Sequence, residues 1–167
     1  MSRNVYNAAM TPGDRAMIAL AVARLAIGIF FFFFAQYKLA DRKFIYGGGI
    51  DFWLNKFLSS GSAYPFYRGF LQDVILPRKV LFAWLVSLAE AGIAFSMLTG
   101  LWVRFGSLVG FFLMLHLLFA SDYPGPNARV WQYFGASLSH AILLIFFAVF
   151  FFADAGMVWG LDGLLFK

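Results

Sequence analysis

Ala16-Met17-Ile18-Ala19-Leu20-Ala21-Val22-Ala23-Arg24-Leu25-Ala26-Ile27-Gly28-Ile29-Phe30-Phe31-Phe32-Phe33-Phe34-Ala35-Gln36-Tyr37-Lys38-Leu39 decides how this chain is read. Its only charged residues are Arg24 and Lys38. A helix of about 20 apolar residues crosses the hydrocarbon of a bilayer, and this stretch is long enough. Met1 to Arg15 is polar, and the apolar run after it is longer than a signal-peptide core. Residues 16–39 are therefore expected to be a retained membrane helix.

Working outward, three further apolar stretches of similar length follow, over residues 80–99, 103–121 and 130–153. Pro77 precedes the second and Gly100 ends it, while Pro124-Gly125-Pro126 follows the third. The whole chain of 167 residues is 62% hydrophobic and 13% charged. Soluble domains run near 25% charged and 45–50% apolar, roughly, and this chain lies outside that range in both respects, which argues against a water-soluble fold. The expectation is an all-α integral membrane four-helix bundle, one membrane domain over residues 1–167. Thr11 or Asp14 is expected to cap the first helix, with Pro12 near its start.

Gly100-Leu101-Trp102 makes spans 2 and 3 a tight hairpin, and residues 122–129 join spans 3 and 4. Residues 40–79 are expected to be an interfacial loop between spans 1 and 2. Within it Ile50, Trp53, Leu54, Phe57 and Leu58 recur at helical spacing, which predicts a short amphipathic helix at the membrane surface. Gly106, Ser107 and Gly110 give span 3 a face of small residues for close helix approach. Trp84, Trp102, Trp131 and Trp159 fall near span ends, as aromatic belts do.

The net charge is +5, with basic residues at span ends and in the long loop, where they can meet anionic lipid headgroups. Nucleic acid is not an expected partner; the lipid bilayer is. Arg3, Arg15, Arg104 and Lys167 fall on one side, and the larger set around Lys38, Arg42, Lys43, Lys56, Arg68, Arg78, Lys79 and Arg129 on the other. The positive-inside rule then places the long loop in the cytoplasm. Cysteine is absent, which excludes disulfides, thiolate nucleophiles and Cys-ligated metals. Walker, dinucleotide-binding and Gly-x-Ser-x-Gly signatures are also missing.

The ionisable residues inside the spans point to function, because a charge at the bilayer centre costs about 2.5–3.5 kcal/mol on insertion scales. Arg24 lies about eight residues from the start of span 1, and Glu90 about nine from the end of antiparallel span 2, so both are roughly 12–14 Å deep. They are expected to form a salt bridge, either as a clamp that fixes register or as part of a ligand pocket or proton path. His116 and His140 lie at similar depth near the other face. Facing one another, they could ligate a b-type haem or a metal ion, or hydrogen-bond a quinone. Alternatively each bonds a nearby group, with Ser137 and Ser139 beside His140. No third metal ligand is evident, so no metal site is assigned.

Several motifs in order resemble the DoxX/DoxD family, which includes the membrane subunit of thiosulfate:quinone oxidoreductase. They are Arg24-Leu25-x-x-Gly28 with the Phe run ending at Lys38-Leu39, then Trp53-Leu54-x-x-Phe57-Leu58, Pro65-Phe66-Tyr67 and Phe70-Leu71. Ala89-Glu90-x-Gly92, Leu98-Thr99-Gly100-Leu101-x-x-Arg104 and Gly160-Leu161-Asp162-x-Leu164-Leu165 continue the pattern. Gln36 stands where the family often has glycine, and His116 and His140 are not carried over from it. The resemblance implies a four-helix membrane protein linked to quinone and redox chemistry, in a bacterial or archaeal cytoplasmic (inner) membrane. On that reading Arg24, Glu90 and Lys38 line a quinone pocket, and partner subunits in a complex supply the substrate oxidation. Two alternatives stand beside it: a non-catalytic accessory subunit of a respiratory or photosynthetic complex, and a haem b electron carrier using His116 and His140.

Overall fold

The computed structural model describes residues 11–134 and 138–166, without the side chains of Pro12, Phe134, Leu138 and Ser139. Helix α1 spans Pro12–Ala40. Its first turn is closed by a reciprocal cap: the Asp14 amide donates to Thr11 Oγ1 at 3.2 Å, and the Thr11 amide donates to Asp14 Oδ2 at 2.9 Å. This satisfies two of the amides that a helix start leaves unpaired, and Pro12 needs no partner for the N–H it lacks. After α1 the chain turns through Arg42, whose φ is +55°. Asp41 accepts the Lys43 amide there, which holds its carboxyl below the usual carboxylate range.

Two short helices follow, α2 over Lys43–Tyr46 and α3 over Gly49–Ser59. Ile50 and Leu54 of α3 are buried, and Asp51 pairs with Lys79 at 2.6 Å. A helix thus occupies the segment where apolar spacing predicts one. The remainder of the expected loop departs from the expectation. Helix α4, Pro65–Gly69, runs without a break through a π-helical stretch, Phe70–Ile75, and a 3-10 turn, Leu76–Arg78, into α5, Lys79–Thr99. Pro77 removes one backbone donor and crowds the preceding turn. The widened and then tightened turns before α5 absorb that crowding, so the proline does not end the helix.

Helix α6 spans Val103–Ser121. Residues 130–153 do not begin as an α-helix. Val130–Phe134 is a 3-10 turn, and α7 covers Leu138–Phe152. The 3-10 turn is held in the loop by Tyr133, whose hydroxyl donates to the Gly125 carbonyl at 2.8 Å. Its own carbonyl accepts from the Tyr64 hydroxyl, also at 2.8 Å. A short α8, Asp162–Leu165, ends the described chain. No strand occurs among the described residues. Three helical stretches, Gly13–Ala40, Pro65–Thr99 and Val103–Ser121, are long and apolar enough to cross a membrane, and α7 is a shorter apolar helix.

Packing is extensive between α1 and α5 and between α6 and α7, and α5 and α6 meet through the Gly100 turn. Phe31 of α1 reaches Phe147 of α7 edge to face, with ring centroids 5.6 Å apart. Two glycines permit the close approaches. A Cβ at Gly28 would lie 2.9 Å from Met97 Cβ and 3.0 Å from the Leu98 amide nitrogen, and one at Gly110 would meet the Phe147 ring. One apolar core, with Ile27, Phe31, Ile93, Met97, Met114 and Phe147, fills the space between these four helices. A second, with Ile45, Ile50, Leu54, Tyr67 and Leu71, joins the α2–α4 segment to α5 and α6. Phe32, Phe33, Leu88, Phe95, Phe105 and Ile145 point outward. Such a continuous apolar exterior suits lipid rather than water.

Candidate functional site

Among the described residues, a cleft of about 750 Å³ is lined by residues of both cores, within the size range of small-molecule sites. Phe34, Phe70, Phe82, Leu85, Val109 and Leu113 give it an apolar, largely aromatic wall. Lys38, Glu90, Tyr67, His116, Asp122 and His140 supply its main polar groups. Four of the five residues singled out in the sequence therefore share one cavity. Arg24 is not among its lining residues.

Lys38 Nζ contacts Glu90 Oε1 at 2.5 Å, both side chains being largely buried. The Lys38 ammonium also sits 4.7 Å from the centre of the Phe44 ring. Glu90 Oε2 is buried with no hydrogen-bond partner among the described residues. The expected Arg24–Glu90 salt bridge is thus replaced by Lys38–Glu90. Equal depth would require the start of span 1, taken at Ala16, to lie level with the end of span 2 at Thr99. Helix α1 in fact begins at Pro12, and its register on α5 is set where Gly28 abuts Met97 and Leu98. That offset puts Arg24 level with the turn after α5, and brings Lys38 to the depth of Glu90.

Arg24 is fully buried and serves the opposite end of the bundle. Its guanidinium donates to the Met97 carbonyl at 2.5 Å and to the Trp159 carbonyl at 2.9 Å. It therefore satisfies a carbonyl that the last turn of α5 leaves open, where positive charge is also favoured. The C-terminal segment is tied to the same place. The Leu161 amide donates to Thr99 O at 3.1 Å and the Asp162 amide to Gly100 O at 2.8 Å. The Asp162 carboxylate in turn accepts the amides of Trp102 at 2.7 Å and Val103 at 2.9 Å, capping α6. Arg24 and Asp162 thus latch the chain end over the α5–α6 turn.

The two histidines line the cleft from α6 and α7. Each is held by its own partner. His116 Nδ1 lies 2.6 Å from the Tyr67 hydroxyl, and its ring stacks on Phe70 at 17° and 6.3 Å. His140 Nδ1 lies 3.0 Å from Asp122 Oδ2 and 3.2 Å from Oδ1. Since a carboxylate only accepts, His140 Nδ1 carries a proton in this pairing, and Nε2 is the remaining nitrogen for a ligand. Asp122 is fixed further by the Ser121 hydroxyl, which donates to it at 2.7 Å. Ser137 and the side chain of Ser139, candidate partners of His140, lie outside the described residues. Among those described, no three His, Asp or Glu side chains gather as a metal site.

Tyr67 and Asp122 were not singled out as site residues in the sequence. Tyr67 sits in a segment expected to be loop, and only the unbroken helix from Pro65 carries it against α6. Asp122 did carry a signal: it is an acid directly after a membrane span, six residues beyond an intramembrane histidine.

The sequence model of the DoxX family matches residues 19–121, which hold most of α1, the long second helix and α6. The chain belongs to the DoxX family and, with its long apolar helices, is a multi-pass membrane protein. Comparison with curated proteins and with solved structures gives no match.

Proposed function

We propose that this DoxX-family chain is a quinone-binding subunit of a membrane redox complex, with the cleft as its quinone site. The observation that carries the reading is the pairing of polar groups inside an aromatic, membrane-embedded cavity. Tyr67–His116 and Asp122–His140 offer two proton-bearing pairs on the lining of one cleft, with Tyr67 and Asp122 buried. A quinone headgroup presents two carbonyl oxygens on a flat ring and carries an apolar tail, which matches hydrogen-bond donors set among Phe34, Phe70 and Phe82.

Reduction of a bound quinone to quinol takes up two electrons and two protons. The electrons come from substrate oxidation in a partner subunit, since this chain has no cysteine. The protons pass through the Tyr67 hydroxyl beside His116 and through His140 beside Asp122. Asp122 holds the imidazole orientation. Four helical units cross the bilayer in this reading: α1, the stretch from α4 through α5, α6 and α7. Helices α2 and α3 lie at the interface, on the cytoplasmic side of an inner membrane.

A second reading is an accessory subunit that packs against a larger complex. The outward Phe30, Phe32 and Phe33 of α1 favour it, as a contiguous aromatic face for a neighbouring chain. Titration of the purified full chain in lipid nanodiscs with decylubiquinone and a menaquinone analogue separates the two. Trp53 lines the cleft and reports by fluorescence quenching. Saturable quenching is expected, lost in Trp53→Phe and weakened about tenfold or more in His116→Ala and His140→Ala. Absence of saturable quenching with either quinone overturns the quinone reading and favours the accessory one. A Soret band in the purified protein would instead assign the two histidines to haem.

A further inference from the structure

Glu90 presents a feature that the quinone reading leaves unused. Its side chain is 5% exposed and its Oε1 is taken by Lys38. Its Oε2 is equally buried, has no partner among the described residues, and belongs to a residue lining the cleft. An ionised carboxylate accepts and never donates. A buried acceptor left unmade costs about 1–3 kcal/mol, more when charged. This unpaired acceptor therefore selects a ligand that brings a donor.

The surroundings narrow the donor. The Lys38 ammonium on the same carboxylate repels a cationic ligand, which leaves a neutral donor such as a hydroxyl. Phe34, Phe70 and Phe82 in the lining favour an aromatic body attached to it. The helix register sets where the other end of such a ligand falls. Gly106 abuts Ser96 and Met97 across the α5–α6 seam, and Gly110 abuts Phe147 across the α6–α7 seam. Carrying those contacts along antiparallel helices places His116 and His140 nearly level, and Glu90 about one turn, roughly 5 Å along the axis, from them. A six-membered ring with oxygens at opposite ends is suited to such an offset, one oxygen toward Glu90 and the other toward a histidine.

The geometry points to Glu90 Oε2 as the acceptor for a phenolic hydroxyl, so that the cleft binds the reduced, quinol form in preference to ligands with that hydroxyl blocked. This rests on the quinone reading and adds the end of the site that recognises a ring hydroxyl. Glu90 then acts by hydrogen bonding, with Lys38 holding its carboxyl group in place.

The test uses the full chain in nanodiscs, kept under reducing conditions, with decylubiquinol and its dimethyl ether as probes. Both are read by Trp53 quenching. The wild type is expected to bind the quinol about tenfold or more tighter than the ether, as for loss of a hydrogen bond to a charged acceptor. Glu90→Gln is expected to shrink that ratio to within about threefold, and Gly92→Ala, whose added methyl meets open space, to preserve it. A wild-type ratio near one overturns the inference, as does a ratio unchanged in Glu90→Gln. If Glu90→Gln fails to fold, the wild-type ratio alone decides. Binding of neither probe, nor of oxidised decylubiquinone, removes the quinone reading itself, so the two failures are distinct.

Discussion

The Lys38 ammonium lies 2.5 Å from Oε1 of Glu90, across the seam between α1 and α5. Removing one member leaves the other buried and uncompensated, which costs about 3–5 kcal/mol in buried pairs. Lys38→Met and Glu90→Leu are each expected to lower stability on that scale. The combined Lys38→Met/Glu90→Leu variant is expected to recover most of the loss, because an apolar pair of similar volume suits the site. Chemical unfolding in detergent completes this double-mutant cycle. Additive single and double losses would show that the two side chains are not coupled.

Gly28 and Gly92 predict opposite outcomes for one substitution. A Cβ at Gly28 would press on Met97 and on the Leu98 backbone, while one at Gly92 meets nothing within 4 Å. Gly28→Ala is expected to destabilise by about 1–3 kcal/mol through overpacking. Gly92→Ala is expected to be neutral or stabilising by up to about 1 kcal/mol through helix propensity. Thermal unfolding of the two variants side by side checks both signs.

Arg24 and Asp162 latch the C-terminal segment, so their loss is expected to free that segment before the bundle melts. Arg24→Lys replaces a planar fork that reaches two carbonyls by a point charge, and Arg24→Ala removes both bonds. Asp162→Ala removes the cap of α6, a change of about 0.5–2 kcal/mol. Faster proteolytic cleavage or hydrogen exchange at 154–166 is the expected readout. Unchanged protection in Arg24→Ala would rule the latch out.

Tyr64 gives the chain an alkaline limit. Burial, and then the charge of Asp122, raise its phenol above the ordinary value. The folded state therefore keeps this proton where the unfolded chain releases it. Its contribution is fully present below about pH 10 and is lost as pH rises through the higher folded value. Stability is expected to fall above pH 10 more steeply in wild type than in Tyr64→Phe, as read from unfolding midpoints. Parallel pH profiles for the two proteins would contradict it.

Local chemistry made much of the fold legible. The Thr11–Asp14 cap, the end of α5 at Thr99 before Gly100, and α6 over Val103–Ser121 all follow from capping residues, glycine and unbroken apolar runs. The helix from Pro65 to Thr99 was hidden because Pro77 reads as a stop, while packing of Tyr67 and Leu71 in the second core supports helix on both sides of it. The 3-10 start of residues 130–153 was hidden for a related reason. Tyr133 is held by bonds to Gly125 and Tyr64, residues remote from the apolar run that followed it in the sequence.

The sequence by itself determined the environment and the inventory: an apolar, all-helical chain of the membrane, with Arg24, Glu90, His116 and His140 as its costly residues. Those follow from composition and from the price of charge in hydrocarbon, which need no knowledge of neighbours. Only the tertiary structure decided the pairings. Glu90 belongs to Lys38, Arg24 to the carbonyls of Met97 and Trp159, His116 to Tyr67 and His140 to Asp122. The physical reason is register: the point at which Gly28 lets α1 close on α5 slides one helix along the other, and depth counted from the ends of an isolated span cannot contain that offset.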